Sequence, residues 1–193
     1  MKESIVLFGA AIALLGTLNY IRAIIWGGVR PNKVSWLMWS IAPLIATAAA
    51  LSDGVRWAAL PVFMSGFGPL LILLVAIGVK RSYWKLERFD YLCGIFSGLA
   101  LLFWILTKEP MIAIVFAILS DFFALAPTFL KSWKHPHTED GLSYLAGVIN
   151  IMTSFFALEH YTFSELAFPI YILLADASLV VAIFRKRLRK ILH

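Results

Sequence analysis

The chain has 193 residues, of which 61% are hydrophobic and only 15% are charged. Soluble domains normally carry about a quarter charged residues, so this composition excludes an ordinary soluble globular protein. The formal net charge of +6 does not indicate a nucleic-acid partner, because the basic residues are spread over short turns between apolar runs.

Seven apolar runs follow one another along the chain, and each has about the 17–25 residues that a helix needs to cross a membrane. They are Ser4–Ile21, Val34–Ser52, Trp57–Val79, Tyr91–Thr107, Pro110–Leu130, Gly141–Leu158 and Leu166–Phe184. Only the fifth and the seventh contain a charged residue, one Asp in each. The pattern predicts an all-α membrane protein with seven transmembrane helices. The first run lacks a small-x-small cleavage site, so we expect it to remain as a helix and not to be removed as a signal peptide.

Fourteen of the 17 basic residues lie in the first, third and fifth turns and in the C-terminal tail. The positive-inside rule therefore places the N-terminus outside and the C-terminus in the cytoplasm. We expect a multi-pass protein of a bacterial-type cytoplasmic (inner) membrane, with the basic tail on anionic lipid headgroups.

The second half of the sequence resembles the first at a constant spacing, which we call the repeat offset. Val34-Ser35-Trp36-Leu37 aligns with Leu142-Ser143-Tyr144-Leu145, and Ala59-Leu60-Pro61 aligns with Ala167-Phe168-Pro169 without a gap. The first three spans align with the last three at this offset, and the fourth span has no counterpart. The sequence therefore predicts a first three-helix repeat (1–80), a linker with the fourth helix (81–109), and a second repeat with the basic tail (110–193). Because each three-helix unit ends on the opposite side from its start, one linker helix makes the two repeats parallel, in a 3+1+3 arrangement.

One segment of the second repeat resembles the PQ-loop motif. Pro127-Thr128 occupies the place of the Pro-Gln pair, a basic turn follows, and Gly141-Leu142-Ser143 opens the next helix. In the first repeat, Asn19-Tyr20 takes the place of the pair, and Val34-Ser35-Trp36 opens the next helix. The resemblance is to the superfamily of PQ-loop transporters, SWEET sugar facilitators, PnuC transporters and KDEL receptors. It implies the 3+1+3 fold and suggests membrane-embedded aspartates that couple transport to protons.

Asp121 and Asp176 are the acidic residues within the spans. A charged carboxylate at mid-membrane costs at least about 2.5–3.5 kcal/mol, and such residues commonly serve function. We predict that both couple transport to protons, Asp121 first and Asp176 second. The alternative is that each is neutral and hydrogen-bonds a neighbouring helix.

Helical spacing also gives each span one polar or small face, which can point to a shared axis. The candidates for substrate contact on these faces are Asn150, Asn19, Trp36, Thr128 and Ser154. For the hydroxyl side chains the alternative is ordinary helix packing. For Trp36 the alternative is the aromatic belt at the membrane interface.

Four prolines are candidate hinges, because proline removes a backbone donor and loosens a helix. They are Pro61 and Pro169, which the repeat relates, with Pro127 and Pro43. Simple kinks that shape packing are the alternative.

The expected function is small-solute transport by alternating access between the repeats. The alternatives are a non-transporting receptor on the same fold and a structural membrane subunit. No enzyme motif, cofactor or metal site is predicted. The expected partners are a small-molecule substrate, protons if the protein is a symporter, and membrane lipid, with no nucleic acid; a homo-oligomer is compatible with the sequence.

Overall fold

The computed structural model describes residues 2–79, 84–107 and 109–192. Of residues 100, 101, 104, 105, 107, 110 and 186–192 it describes the backbone alone.

This part of the chain is all-helical. It consists of α1 (Lys2–Ile25), α2 (Lys33–Ser52), α3 (Ala59–Gly78), α4 (Arg88–Thr107), α5 (Pro110–Lys134), a 3₁₀ turn (Pro136–Thr138), α6 (Gly141–Ala157) and α7 (Phe163–Leu192). The seven predicted helices are therefore present. The largest difference is at α7, which continues to Leu192 beyond the predicted end at Phe184. Hydrophobicity marks where a helix leaves the apolar layer, whereas the Arg and Lys residues that follow are good helix formers and extend it.

Side-chain caps fix the starts of α2 and α6. The Asn32 side chain accepts hydrogen bonds from the backbone N–H groups of Val34 and Ser35, and the Asp140 side chain accepts one from Leu142. Asn and Asp are preferred at this position because their oxygens satisfy the unpaired N–H groups of the first helical turn. The caps thus place the two matching Ser residues, Ser35 and Ser143, in the first turns of their helices.

Five helices of the described chain are long and apolar enough to cross a membrane: α1, α2, α3, residues Met111–Lys134 of α5 and residues Phe163–Arg185 of α7. The shorter α6, with 17 residues, is also apolar. These helices fit a multi-pass membrane protein.

The helices pack in an order that differs from their order in the chain. Helix α3 packs against both α1 and α2, and α7 packs against both α5 and α6. Helix α1 contacts α6, and α2 contacts α5, which closes a ring of six helices. Helix α4 packs mainly against α5, with a smaller contact to α2, so it lies beside the ring.

Candidate functional site

A cavity of about 90 Å³ lies inside the ring, and side chains from α1, α2, α3, α5, α6 and α7 line it. Among its lining residues are Trp36, Trp39, Asp121, Tyr144, Asn150 and Asp176. The ring therefore encloses a site that combines aromatic rings, carboxyls and an amide.

Four of the residues predicted for function meet in this cavity. Asp121, Asp176, Asn150 and Trp36 come from four different helices and line the same space. Sequence periodicity assigned each of them to a polar face of its own helix, and the packing order brings those faces together. Trp36 is 4% exposed, which places it among the helices and away from the lipid interface of an aromatic belt.

The other three predicted contacts lie outside the cavity lining. The Thr128 hydroxyl donates to Ser35 Oγ at 2.8 Å. The Ser154 hydroxyl donates to the carbonyl oxygen of Ala58 at 2.8 Å. Exposed Asn19 donates to the side chain of Asp140. A helical pattern identifies which face a residue lies on but not whether it lies at the level of the cavity along the helix axis. Thr128 shares the face of Asp121, yet their separation of seven residues corresponds to about 10 Å along that axis.

Tyr144, Ser65 and Pro69 also line the cavity, and the sequence reasoning did not assign them to the site. One signal was available for Tyr144, because the repeat offset aligns it with Trp36. The two rings stack with centroids 6.3 Å apart.

Two buried oxygen atoms at the site have no hydrogen-bond partner among the described residues: Asp121 Oδ1 and Asn150 Oδ1. Asp121 is 2% exposed, and its other oxygen accepts from the Tyr171 hydroxyl at 2.8 Å. Asn150 is 1% exposed, and its amide nitrogen donates to the carbonyl oxygen of Pro61 at 2.9 Å. Buried polar atoms are normally paired, so these two oxygens are candidates to accept from a bound molecule.

One end of the bundle, which we call the basic end, is where α1 and α5 finish and α2 and α6 begin. Four buried side chains, the inner cluster, lie together there: Tyr20, Lys131, Glu139 and Tyr144. Glu139 Oε2 accepts from the hydroxyls of Tyr20 at 2.6 Å and of Tyr144 at 2.9 Å. Glu139 Oε1 pairs with Lys131, and the two side chains are 0% and 1% exposed. The inner cluster thus ties α1 to α5 and α6.

Contacts between α6 and the start of α3 lie towards the opposite end of the bundle. Asn150 and Ser154 donate to the carbonyl oxygens of Pro61 and Ala58. Lys2 donates to the carbonyl oxygen of Leu158 at 3.0 Å. The cavity therefore lies between two sets of bonds, each of which joins the first half of the chain to the second.

The four predicted hinges occupy two kinds of helix position. Pro43, Pro127 and Pro169 lie inside α2, α5 and α7, where each removes a backbone hydrogen bond. Pro61 lies in the first turn of α3, where the backbone N–H would have had no partner within the helix. Pro61 and Pro169 are therefore not equivalent in their effect on helix hydrogen bonding, and the hinge roles stay predictions.

Gly147 allows the Asp176 carboxyl to lie against α6. A Cβ at this position would overlap Asp176 Oδ2 and lie 3.2 Å from Asp176 Cγ. We expect Gly147→Ala to displace the carboxyl and to lower the free energy of unfolding by about 1–3 kcal/mol relative to a helical Gly→Ala change without this overlap, as overpacking does. Gly98→Ala in α4 is the control, since a Cβ there meets nothing within 4 Å, and it should be neutral or stabilise the helix by up to about 1 kcal/mol. Thermal unfolding in detergent measures both, and equal effects would contradict the close contact.

Comparisons with protein-family models, with curated proteins and with solved structures gave no match for this chain. The geometry of the cavity is therefore the basis for assigning a function to this chain.

Proposed function

We propose that the chain is a small-solute transporter of the PQ-loop type, which works by alternating access between two three-helix units. The units are α1–α3 (in 1–80) and α5–α7 (in 110–193), and α4 (in 81–109) connects them. The observation that carries the proposal is the central cavity, because all six helices of the two units line it. Binding sites between repeats are typical of transporters built from duplicated units.

A matched pair of hydrogen bonds supports the two-unit arrangement. The Ser35 hydroxyl donates to the carbonyl oxygen of Ala124 at 2.7 Å, and the Ser143 hydroxyl lies 2.8 Å from that of Gly16, with Asp140 Oδ2 as a second acceptor at 2.5 Å. The repeat offset relates the two donors to each other, and it also relates the two acceptors. A pseudo-two-fold axis along the membrane normal would exchange one bond for the other. The contacts of α1 with α6 and of α5 with α2 follow the same exchange.

Alternating access requires each end of the cavity to open while the other is shut. Both sets of end contacts run between the proposed units: the inner cluster at the basic end, and the bonds from α6 to α3 at the opposite end. Opening either end breaks a few bonds and exposes the same cavity. A rocking motion of one unit against the other can therefore deliver the solute from side to side.

Cysteine accessibility tests this motion, because Cys93 is the chain's one cysteine. In a Cys93→Ala background, Ser65→Cys introduces a thiol into the cavity lining on α3. We expect a membrane-impermeant maleimide to label it from either face of sealed vesicles. The matched control is Leu74→Cys on the same helix, a position that is 58% exposed and faces lipid in this proposal. It should resist the polar reagent from both faces. Labelling of Ser65→Cys from one face only would contradict alternating access.

Flux separates a transporter from a receptor on the same fold. The solute can be found by thermal-shift screening of the purified protein against sugars, amino acids, vitamin precursors and small amines. Counterflow of the bound solute in proteoliposomes is expected for a transporter, whereas saturable binding without counterflow would favour the receptor. A structural subunit would need no central cavity, so the cavity favours the first two functions.

Orientation is part of the proposal. Described basic residues of the first, third and fifth turns lie at the basic end, where the Lys131 ammonium donates to the carbonyl oxygen of Arg30 at 2.6 Å. At the same end Arg185 stacks over the Trp133 ring at 4.1 Å. Lys80, Arg81 and Lys108 lie outside the described residues, as do the side chains of Lys186, Arg187, Arg189 and Lys190. With the positive-inside rule, these positions support a cytoplasmic basic end.

A further inference from the structure

The cavity contains carboxyls without a basic partner. Asp121 and Asp176 both line it, and the described lining includes no Lys, Arg or His. An ionised carboxylate at membrane depth is costly unless a positive charge or strong donors compensate it. The protein supplies Asp121 with one donor, the Tyr171 hydroxyl, and no cation. The charge balance therefore favours a positively charged occupant.

Hydrogen-bond capacity leads to the same class of molecule. The lining hydroxyls of Thr17 and Ser65 donate their hydrogens to the carbonyl oxygens of Ala13 and Pro61. The hydrogen of the Ser143 hydroxyl is shared between two acceptors, the Gly16 carbonyl oxygen and Asp140 Oδ2. A hydroxyl has one hydrogen, so each of them can only accept from a ligand.

Asn150 adds another acceptor. Its nitrogen must face the Pro61 carbonyl, which cannot donate, and this leaves the amide oxygen of a cavity-lining residue without a partner among the described residues. Asp121 Oδ1 is likewise unpaired. The indole N–H of Trp36 is a buried donor that is also unpaired among the described residues. The site therefore offers several acceptors and one free donor, which suits a ligand with more N–H donors than acceptors.

Aromatic rings supply the third element. Trp36, Trp39 and Tyr144 line the cavity, with Trp39 edge-on to Trp36 at 5.2 Å and to Tyr144 at 6.3 Å between centroids. The faces of such rings attract cations, Trp most strongly. A cavity of about 90 Å³, at about 10–15 Å³ for each water-sized group, holds roughly six to nine such groups, which sets the size of the occupant.

We propose that the solute is a small organic amine, bound as its ammonium cation. Its N–H groups donate to Asp121 Oδ1 and Asn150 Oδ1, its single positive charge compensates one of the two carboxyls, and its apolar part lies against Trp36, Trp39 and Tyr144. This inference rests on the proposed function, because it names the solute class of the same cavity. A neutral sugar would require both carboxyls to hold protons, and an organic anion would meet two acidic groups with no basic side chain in the described lining.

The test uses a matched pair of probes on the purified protein. Benzylamine is an ammonium cation at neutral pH, and benzyl alcohol has nearly the same size and shape without the charge. By isothermal titration calorimetry we expect saturable binding of benzylamine, at least about tenfold tighter than that of benzyl alcohol. Asp121→Asn and Asp176→Asn should each weaken benzylamine binding by about tenfold or more, because hydrogen bonds and ion pairs to charged groups are among the strongest polar contacts. The control Glu3→Gln removes an exposed carboxyl outside the cavity and should leave the affinity unchanged.

Three results would overturn the amine proposal: equal binding of the two probes, benzylamine binding that neither Asp variant affects, or no saturable benzylamine binding to protein with the normal melting temperature. If one Asp variant fails to fold, the other carries the test. The outcome is separable from that for transport. Counterflow of a sugar without amine binding would overturn the amine proposal and support the transporter proposal. Amine binding without any counterflow would support the amine proposal and overturn the transporter proposal.

Discussion

Replacing Lys131 with methionine is expected to lower the free energy of unfolding by about 3–5 kcal/mol, the usual cost of removing one partner from a buried ion pair. The Lys131 ammonium pairs with Glu139, donates to the carbonyl oxygen of Arg30, and lies 5.4 Å from the centre of the Trp84 ring. Without it, the Glu139 carboxylate would remain buried with only the two tyrosine hydroxyls to stabilise it. A large drop in melting temperature in detergent is the expected readout.

A second substitution shows whether the uncompensated charge is the cause. The double variant Lys131→Met with Glu139→Gln has no buried charge in the inner cluster, so it should recover a substantial part of the lost stability. Such recovery measures the coupling between the two positions. The control is Lys134→Met, which removes an exposed ammonium from the same turn of α5 and should change the melting temperature little. A double variant no more stable than Lys131→Met would indicate that lost packing causes the effect.

Asp121→Asn is expected to abolish solute accumulation driven by a proton gradient while leaving solute exchange in place. An asparagine keeps the size of the side chain and can still hydrogen-bond the Tyr171 hydroxyl, which contacts Asp121 at 2.8 Å, but it cannot bind and release a proton. The measurement compares gradient-driven uptake with counterflow at zero gradient in the same proteoliposomes. Solute is supplied above the variant's own dissociation constant, so that weaker binding is not mistaken for lost coupling.

Asp176→Asn and Glu3→Gln complete that experiment. Asp176 lines the same cavity, so its variant shows whether the second carboxyl shares the proton, whereas exposed Glu3 should have no effect. If Asp121→Asn accumulates solute to the same ratio of internal to external concentration as the wild type, this residue has no part in the coupling mechanism. Loss of both accumulation and exchange would show that Asp121 is needed for transport itself and not for coupling alone.

Much of the helical layout was predictable because long apolar runs have few alternatives in a membrane protein. The start of α6 at Gly141 follows from its Asp140 cap, and the start of α5 at Pro110 follows from the preference of proline for the first helical position. The end of α7 was not predictable from hydrophobicity, since its polar extension leaves the apolar layer without ending the helix.

The site was predictable in part, and the limit has a physical origin. Periodicity identified the faces of Asp121, Asp176, Asn150 and Trp36, and those faces meet. It could not distinguish them from Thr128 and Ser154, whose hydroxyls serve contacts between helices at other depths. Which oxygen of Asp121 or Asn150 remains unpaired depends on neighbours far away in the chain, such as Tyr171 and Pro61.

The two halves contribute unequally to the cavity. The repeat offset pairs Asp121 with Ala13, Asp176 with Gly68, and Asn150 with Ala42, so these acidic and amide groups belong to the second half alone. Two copies of the first half would build a cavity without a carboxyl at these positions, and two copies of the second would place four carboxyls around one small space. A cavity built from one copy of each half has two carboxyls, which lies between these two extremes. In the proposed arrangement of two repeats the halves therefore depend on each other, and a single polypeptide always supplies one copy of each.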